Sequence, residues 1–270
     1  MHSKQNFKIE IPYILKLLEI IKKGENGKSE LKEESGAGEN KVITFIEWLK
    51  YINAIEEKNR EYTLTKLGEF YLKTKEAYDY IEPLMLYHLA RNPELEKNDG
   101  HYYFAEILNE YLSKKISDFD NKISLESAKK FLLELGADPK YPEFIVTALK
   151  VLADSETGFG KMGILEIASE DKKNTIYELH SYWVEPLVGA YIIYDMWKEG
   201  QTTMEISSII NDKYNIGRIF LMDSDAIMET LEEIKALGLI DISSIAGLNQ
   251  ITKSNRYTKE DILDMMIEQA

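Results

Sequence analysis

Apolar side chains recur every three or four positions along most of this chain, and that spacing predicts a mainly helical protein. Near the start, Ile14, Leu17, Leu18 and Ile21 share one helical face, and Pro12 suits a first turn because its missing N–H has no intrahelical partner there. Gly24 and Gly27 interrupt the pattern. A short polar helix is expected from about Ser29 to Glu34, ending at the turn Ser35-Gly36-Ala37-Gly38. The strongest stripe of the region follows over Asn40 to Ile55. Val42, Phe45, Ile46, Leu49 and Ile52 lie on one side of it, and Lys41, Thr44, Glu47 and Lys50 lie away from it.

After this third helix the periodicity changes. Ala54-Ile55-Glu56-Glu57 leads to a polar tip, Lys58-Asn59-Arg60, and Tyr62-Thr63-Leu64-Thr65-Lys66-Leu67-Gly68 returns. Three helices closed by a charged hairpin are the element order of a winged helix-turn-helix, in which the third helix can enter a major groove. The last segment repeats the order. Helices are expected at Trp183 to Trp197, at Thr202 to Asn211 (with Thr202 or Thr203 as cap) and at Asp225 to Leu237. A hairpin with its tip near Ser243 to Gly247 follows, and a closing helix covers Lys259 to Glu268.

The expected fold class is therefore mainly α. Two winged helix-turn-helix units, at 1–75 and 179–270, flank a helical middle region at 76–178, and the short antiparallel strands are confined to the wings. In the middle, helices are read at Tyr80 to Leu89, from His101-Tyr102-Tyr103-Phe104 through Tyr111, at Ser124 to Gly136 and at Glu143 to Ala153. Aromatics at helical spacing there are read as core rather than as a base-stacking surface.

Charge changes this picture more than composition does. The 270 residues carry a net charge of −14, unfavourable for phosphate contacts in general. Residues 1–75 nevertheless sum to +2, whereas 76–178 and 179–270 each sum to −8. Only the first unit suits DNA. Its candidate DNA-binding residues are Lys28 on the second helix, Asn40, Lys41 and Thr44 in the first turns of the third, and Lys58 and Arg60 at the wing tip. Lys and Arg at these places suit phosphates, and Asn40 and Thr44 suit base edges, with helix capping as the competing role for Asn40. So few cations imply weak binding unless a partner protein or homodimerisation adds contacts. In the last unit the third helix offers Asp225, Glu229, Glu232 and Glu233, which favour a protein partner over phosphate.

Catalytic and cofactor motifs fail on context. Gly158-Phe159-Gly160-Lys161-Met162-Gly163 has the glycine spacing of a dinucleotide loop but lacks the preceding strand and following helix, so it is read as a turn. Asp118 and Asp120 resemble the start of a calcium loop, but Lys122 and Ile123 stand where a ligand and a glycine are needed. Gly27-Lys28-Ser29 lacks the earlier glycine of a phosphate loop. The four histidines are widely spaced and cysteine is absent, which removes thiolate and disulfide chemistry. No metal, no cofactor and no enzymatic activity are expected. The polar N-terminus and the lack of a long apolar run predict a cytoplasmic protein without membrane contact.

Three blocks carry a family resemblance. They are Gly36-Ala37-Gly38-Glu39-Asn40-Lys41-Val42 with Trp48, then Ile81-Glu82-Pro83-Leu84-Met85-Leu86-Tyr87-His88-Leu89-Ala90, then Gly217-Arg218-Ile219-Phe220 with Ala226-Ile227-Met228 and Ala246-Gly247-Leu248. In order and spacing the chain resembles the prokaryotic domain of unknown function family 4007. It departs from that family at Phe7 to Pro12, where the family has a stretch bearing His, Glu and Arg. The resemblance implies an accessory protein of DNA phosphorothioation and phage-defence gene clusters, with double-stranded DNA and components of a modification or restriction complex as partners. A protein adaptor without DNA contact and a transcription regulator of the locus are the alternative expectations.

Overall fold

A computed structural model describes residues 8–91, 104–117, 120–136, 149–170, 175–245 and 248–270. The fold is mainly α with small antiparallel sheets. Helix α1 (Ile11–Lys22) has Pro12 in its first turn and buries Ile14, Leu17, Leu18 and Ile21. The next helix, α2 (Lys28–Ser35), ends where Gly36 takes a left-handed conformation with φ 68°. Helix α3 (Glu39–Tyr51) follows, and its stripe Val42, Phe45, Ile46 and Leu49 is buried. It stops four residues before the expected Ile55, because Asn53 turns at φ 55° and Ile55 begins a strand. Strands β1 (Ile55–Lys58) and β2 (Glu61–Leu64) pair antiparallel, with Lys58 opposite Glu61. Thr65 caps α4 (Lys66–Lys73) by accepting from the Gly68 N–H. At Gly68 the backbones nearly touch: a Cβ there would lie 2.0 Å from the Ala54 carbonyl oxygen.

Helix α5 (Tyr78–Ala90) is buried along most of its length and keeps Pro83 inside it. A π-helical stretch, Ile107–Leu112, runs into α6 (Ser113–Ser117). Within it, Asn109 donates to the Ala90 and Ala105 carbonyls and accepts from the Tyr214 N–H at 2.7 Å. The π-stretch thus anchors a distant loop. Next come β3 (Lys122–Ser124), α7 (Leu125–Glu134), β4 (Leu165–Ser169) and β5 (Ile176–Leu179). The middle is therefore not purely helical, and strands are not confined to the hairpins: β3, β5 and β4 form a three-stranded antiparallel sheet. Its signal is short and mixed. Tyr177 and Leu179 are buried in alternation on β5, but β4 is exposed after Leu165, so neither strand shows a long period-two run. Gly158 and Gly160 are a close-packed turn, each facing the backbone of residues 151–155, and a 3₁₀ turn at Gly160–Met162 follows. The expected start of a helix at His101 to Tyr103, most of that at Glu143 to Ala153, and Asp118 fall outside the described residues.

The last part contains α8 (Pro186–Met196), β6 (Met204–Glu205), α9 (Ile206–Asn211), α10 (Ile216–Ile219), α11 (Ser224–Ala236), β7 (Ile240–Ile245), β8 (Leu248–Lys253) and α12 (Lys259–Gln269). Two starts differ from expectation. Pro186 opens α8 in place of Trp183, consistent with a proline at N1, and Glu205 rather than Thr202 or Thr203 precedes α9. The third helix is capped by Asp223, which accepts from Ala226 N–H, and the last by a Thr258–Asp261 capping box. Strands β6, β8 and β7 form the third sheet, and every strand pairing among the described residues is antiparallel.

One continuous cluster of buried apolar side chains runs from Ile9 to Met266. Polar ties reinforce it. Asp195 on α8 accepts from Tyr87 at 2.6 Å and from Lys259 at 2.7 Å, and also pairs with Arg91. Glu106 is buried and accepts from Lys213 at 3.2 Å, and Lys66 on α4 meets Asp264 on α12 at 2.7 Å. No helix among the described residues is long and apolar enough to cross a membrane.

Candidate nucleic-acid interface

The second and third helices and the β1–β2 hairpin carry the six candidate residues, but in unequal states. The hairpin is tied back to the loop before α2, where Tyr62 N–H donates to the Asn26 carbonyl at 2.9 Å and Gly27 bridges to Glu61. This places Lys28 beside the strands. The same lysine is paired with Glu39 at 2.9 Å, and that contact holds the Glu39 carboxyl below its ordinary pKa, through the hydrogen bond first and the charge second. Because both groups are exposed, the pair is weak and Lys28 can exchange it for a phosphate at little cost.

Lys41 is more firmly engaged. It donates to both oxygens of Glu10, at 3.0 and 2.9 Å, and lies 4.4 Å from the Tyr13 ring centroid. Its charge is spent inside the protein. Thr44, expected on the solvent side of the third helix, is buried and donates to the Asn40 carbonyl at 3.0 Å. The buried surface of the helix is thus wider than one apolar stripe, and on the flank of Lys41 and Phe45 the Tyr13 ring packs edge-on against Phe45 at 4.6 Å. Asn40 is exposed, yet it is not the cap: Gly38 occupies that position without a side-chain bond. What α3 shows to solvent is therefore Glu39, Asn40 and Lys50, and Lys50 pairs with Glu57.

The tip differs. Lys58 and Arg60 are exposed and enter no ion pair among the described residues. Asn59 and Arg60 both have positive φ, 54° and 69°. Two successive left-handed residues make a type I′ turn, whose twist matches the strands and whose second central residue is by preference glycine. Asn tolerates this conformation, whereas an arginine there costs about 1 kcal/mol. An arginine held at a glycine-preferring position is an outlier that points towards a role for its side chain. The electrostatics stay modest, since the same hairpin carries Glu56, Glu57 and Glu61, the last directly across from Lys58.

A second polar region, missed by pattern reading, lies around α5. Glu82 is 1% exposed, and its Oε2 has no hydrogen-bond partner among the described residues. Burial pushes its pKa up to about 7, with Lys161 opposing and Asp79 adding to the rise. His88, one turn and a half further on, is buried 3.3 Å from the Tyr191 hydroxyl, and burial pulls it down to about 4, so it is a neutral core residue. The signal for Glu82 was a lone carboxylate inside an otherwise apolar helical run, visible in Ile81 to Ala90. Among the described residues no group of three or more His, Asp or Glu is placed to hold a metal ion.

Residues 150–267 match the model of the family described as "Protein of unknown function (DUF4007)". The chain resembles that family. The match covers the end of the middle region, from residue 150, and nearly all of the last. The whole chain shares its fold with solved structures of a protein named SspB. One, described as magnesium ion-bound, superposes with a TM-score of 0.69 at 14% identity, covering 97% of this chain and 85% of that one. A second SspB crystal structure gives 0.68 at 13% identity over the same shares. Among curated proteins none matches. At such identities the likeness concerns the fold.

Proposed function

We propose that this chain is a non-catalytic accessory protein of a DNA-modification and phage-defence system of the phosphorothioation type, and that its N-terminal unit touches duplex DNA. In this reading the α1–α3 and β1–β2 assembly is a winged helix, and α8, α9 and α11 with β7–β8 are a second one turned to protein contact. The observation that carries DNA contact is Arg60, exposed, without an ion-pair partner among the described residues, and held in a left-handed turn beside Lys58. The family match and the shared fold with SspB support the accessory role. Incubation with supercoiled plasmid and magnesium addresses the enzymatic alternative. Intact plasmid is expected, and nicking would overturn the non-catalytic reading.

The salt dependence of duplex affinity tests which residues make contact. Each phosphate neutralised contributes about −0.9 to the slope of log affinity against log salt. Lys58 and Arg60 alone predict a slope of about −1.8, and the addition of Lys28 and Lys41 predicts about −3.6. We expect the shallower value or one near −2.7, with Lys28 released from Glu39. No affinity for duplex at low salt would favour the adaptor reading, for which the withdrawal of Lys41 and Thr44 already speaks.

A further inference from the structure

The largest exposed aromatic among the described residues stands in an acidic surround. Trp183 is 52% exposed, and its indole N–H donates to Thr230 on α11 at 2.8 Å, which fixes the ring rather than leaving it to rotate. The neighbouring chain is equally ordered, with Tyr182 N–H bonded to the Phe220 carbonyl at 2.9 Å and Val184 buried. Glu185 follows two residues along the chain, Glu233 stands three residues beyond Thr230 on the same side of α11, and Asp79 at the start of α5 is near enough to act on Glu185. Burial raises the Glu185 pKa, and the charges of Asp79 and Glu233 raise it further, so the three carboxylates act on one another. Glu82 lies under the same group. Its charge acts with those of Asp79 and Glu185 on the half-buried Tyr182 hydroxyl, and its Oε2 is unpartnered. The opposing cation is Lys161, which sits 2.9 Å from the Tyr78 ring centroid and acts on Glu82.

A fixed, exposed indole beside carboxylates that repel one another is the recognition chemistry of a guanidinium, which stacks on the ring face while its edge pairs with carboxylates. We propose that Trp183, Asp79, Glu185 and Glu233 form a docking surface for an arginine-bearing segment of a partner protein. The acidic surround selects a cationic segment by charge complementarity and repels nucleic acid, which separates this surface from the hairpin tip. The inference rests on the accessory-protein reading, to which it adds the chemistry of the partner.

The probe is a short peptide alternating arginine and glycine, with a lysine counterpart, titrated into the full chain by calorimetry. The arginine peptide is expected to bind at least about threefold more tightly than the lysine one, because a planar guanidinium stacks and an ammonium does not. Asp79→Asn, Glu185→Gln and Glu233→Gln together should weaken it roughly tenfold. A charge-matched control on α2, Glu30→Gln, Glu33→Gln and Glu34→Gln, should leave it within about twofold, since those exposed carboxylates lie elsewhere. Trp183→Ala should also weaken binding while Trp183→Phe retains most of it, with melting curves confirming that both fold. Equal loss in the α2 control, equal affinity for the two peptides, or no binding at all overturns the inference. Duplex-DNA affinity measured on the same samples reports independently on the accessory reading, and it should be unchanged by the surface substitutions.

Discussion

Arg60 holds two opposed roles in one position. Its backbone sits at φ 69°, where glycine is preferred, while its side chain supplies half of the positive charge at the hairpin tip. Arg60→Gly should therefore raise stability by roughly 0.5–1 kcal/mol and lower duplex affinity, two effects of opposite sign. Thermal melting and fluorescence anisotropy on the same variant check both, and a variant that loses stability would show that the turn is not strained. Glu82 gives a pH signature. Its folded pKa, about 7, lies above the ordinary carboxylate value, so the folded chain holds a proton that the unfolded chain releases earlier. Stability from this residue is thus lost as pH rises from about 4.5 to about 7 and then levels off. Glu82→Gln should flatten that decline and melt higher than the parent at pH 8. An unchanged difference in melting between pH 5 and pH 8 would contradict it. At this scale the sequence was least legible. Lys41 and Thr44 have the right type and spacing for a groove-facing helix, but Glu10 and Tyr13, thirty residues away, claim one and burial claims the other.

Helices with long apolar stripes were readable because a stripe of the right period has no alternative partner but the core. That held for α1, α3 and α11, whose cores fall at the expected residues. Boundaries depended on local chemistry that a stripe does not report. Thus α3 ends at a left-handed Asn53, and α8 waits for Pro186 although Trp183 and Val184 continue the apolar run. The β3–β5–β4 sheet escaped because three to five residues per strand leave too short a pattern to separate from loop. The hairpin was legible from its polar tip, and Gly68 shows how tightly it is mounted on α4. A methyl group at Gly68 would meet the Ala54 carbonyl at 2.0 Å, and backbone on both sides cannot swing away as a side chain would. Gly68→Ala should cost about 1–3 kcal/mol, seen as a lower denaturation midpoint with an unchanged slope. An unaltered midpoint would mean that the hairpin and α4 slide freely.

For the molecule as a whole, the charge gradient is the feature that composition conveys and structure refines. Residues 1–75 carry +2 within a chain of −14, but Lys28, Lys41 and Lys50 are engaged in ion pairs, whereas Lys58 and Arg60 at the tip enter none among the described residues. One apolar core joins this end to the acidic last part, where Asp195 draws α5, α8 and α12 together. Burial raises the Asp195 pKa, but the hydrogen bonds from Lys259 and Tyr87 and the charge of Arg91 outweigh it and hold the carboxyl low. The central claim, duplex contact through the hairpin tip, is tested most directly by fluorescence anisotropy of a labelled duplex with Lys58→Glu, Arg60→Glu. Both sites are exposed and outside the ion-pair network, so the fold should persist. The account predicts at least a tenfold loss of affinity, about 1.4 kcal/mol, with a flatter salt slope. A folded double variant that binds duplex as tightly as the parent, with the same slope, would contradict it.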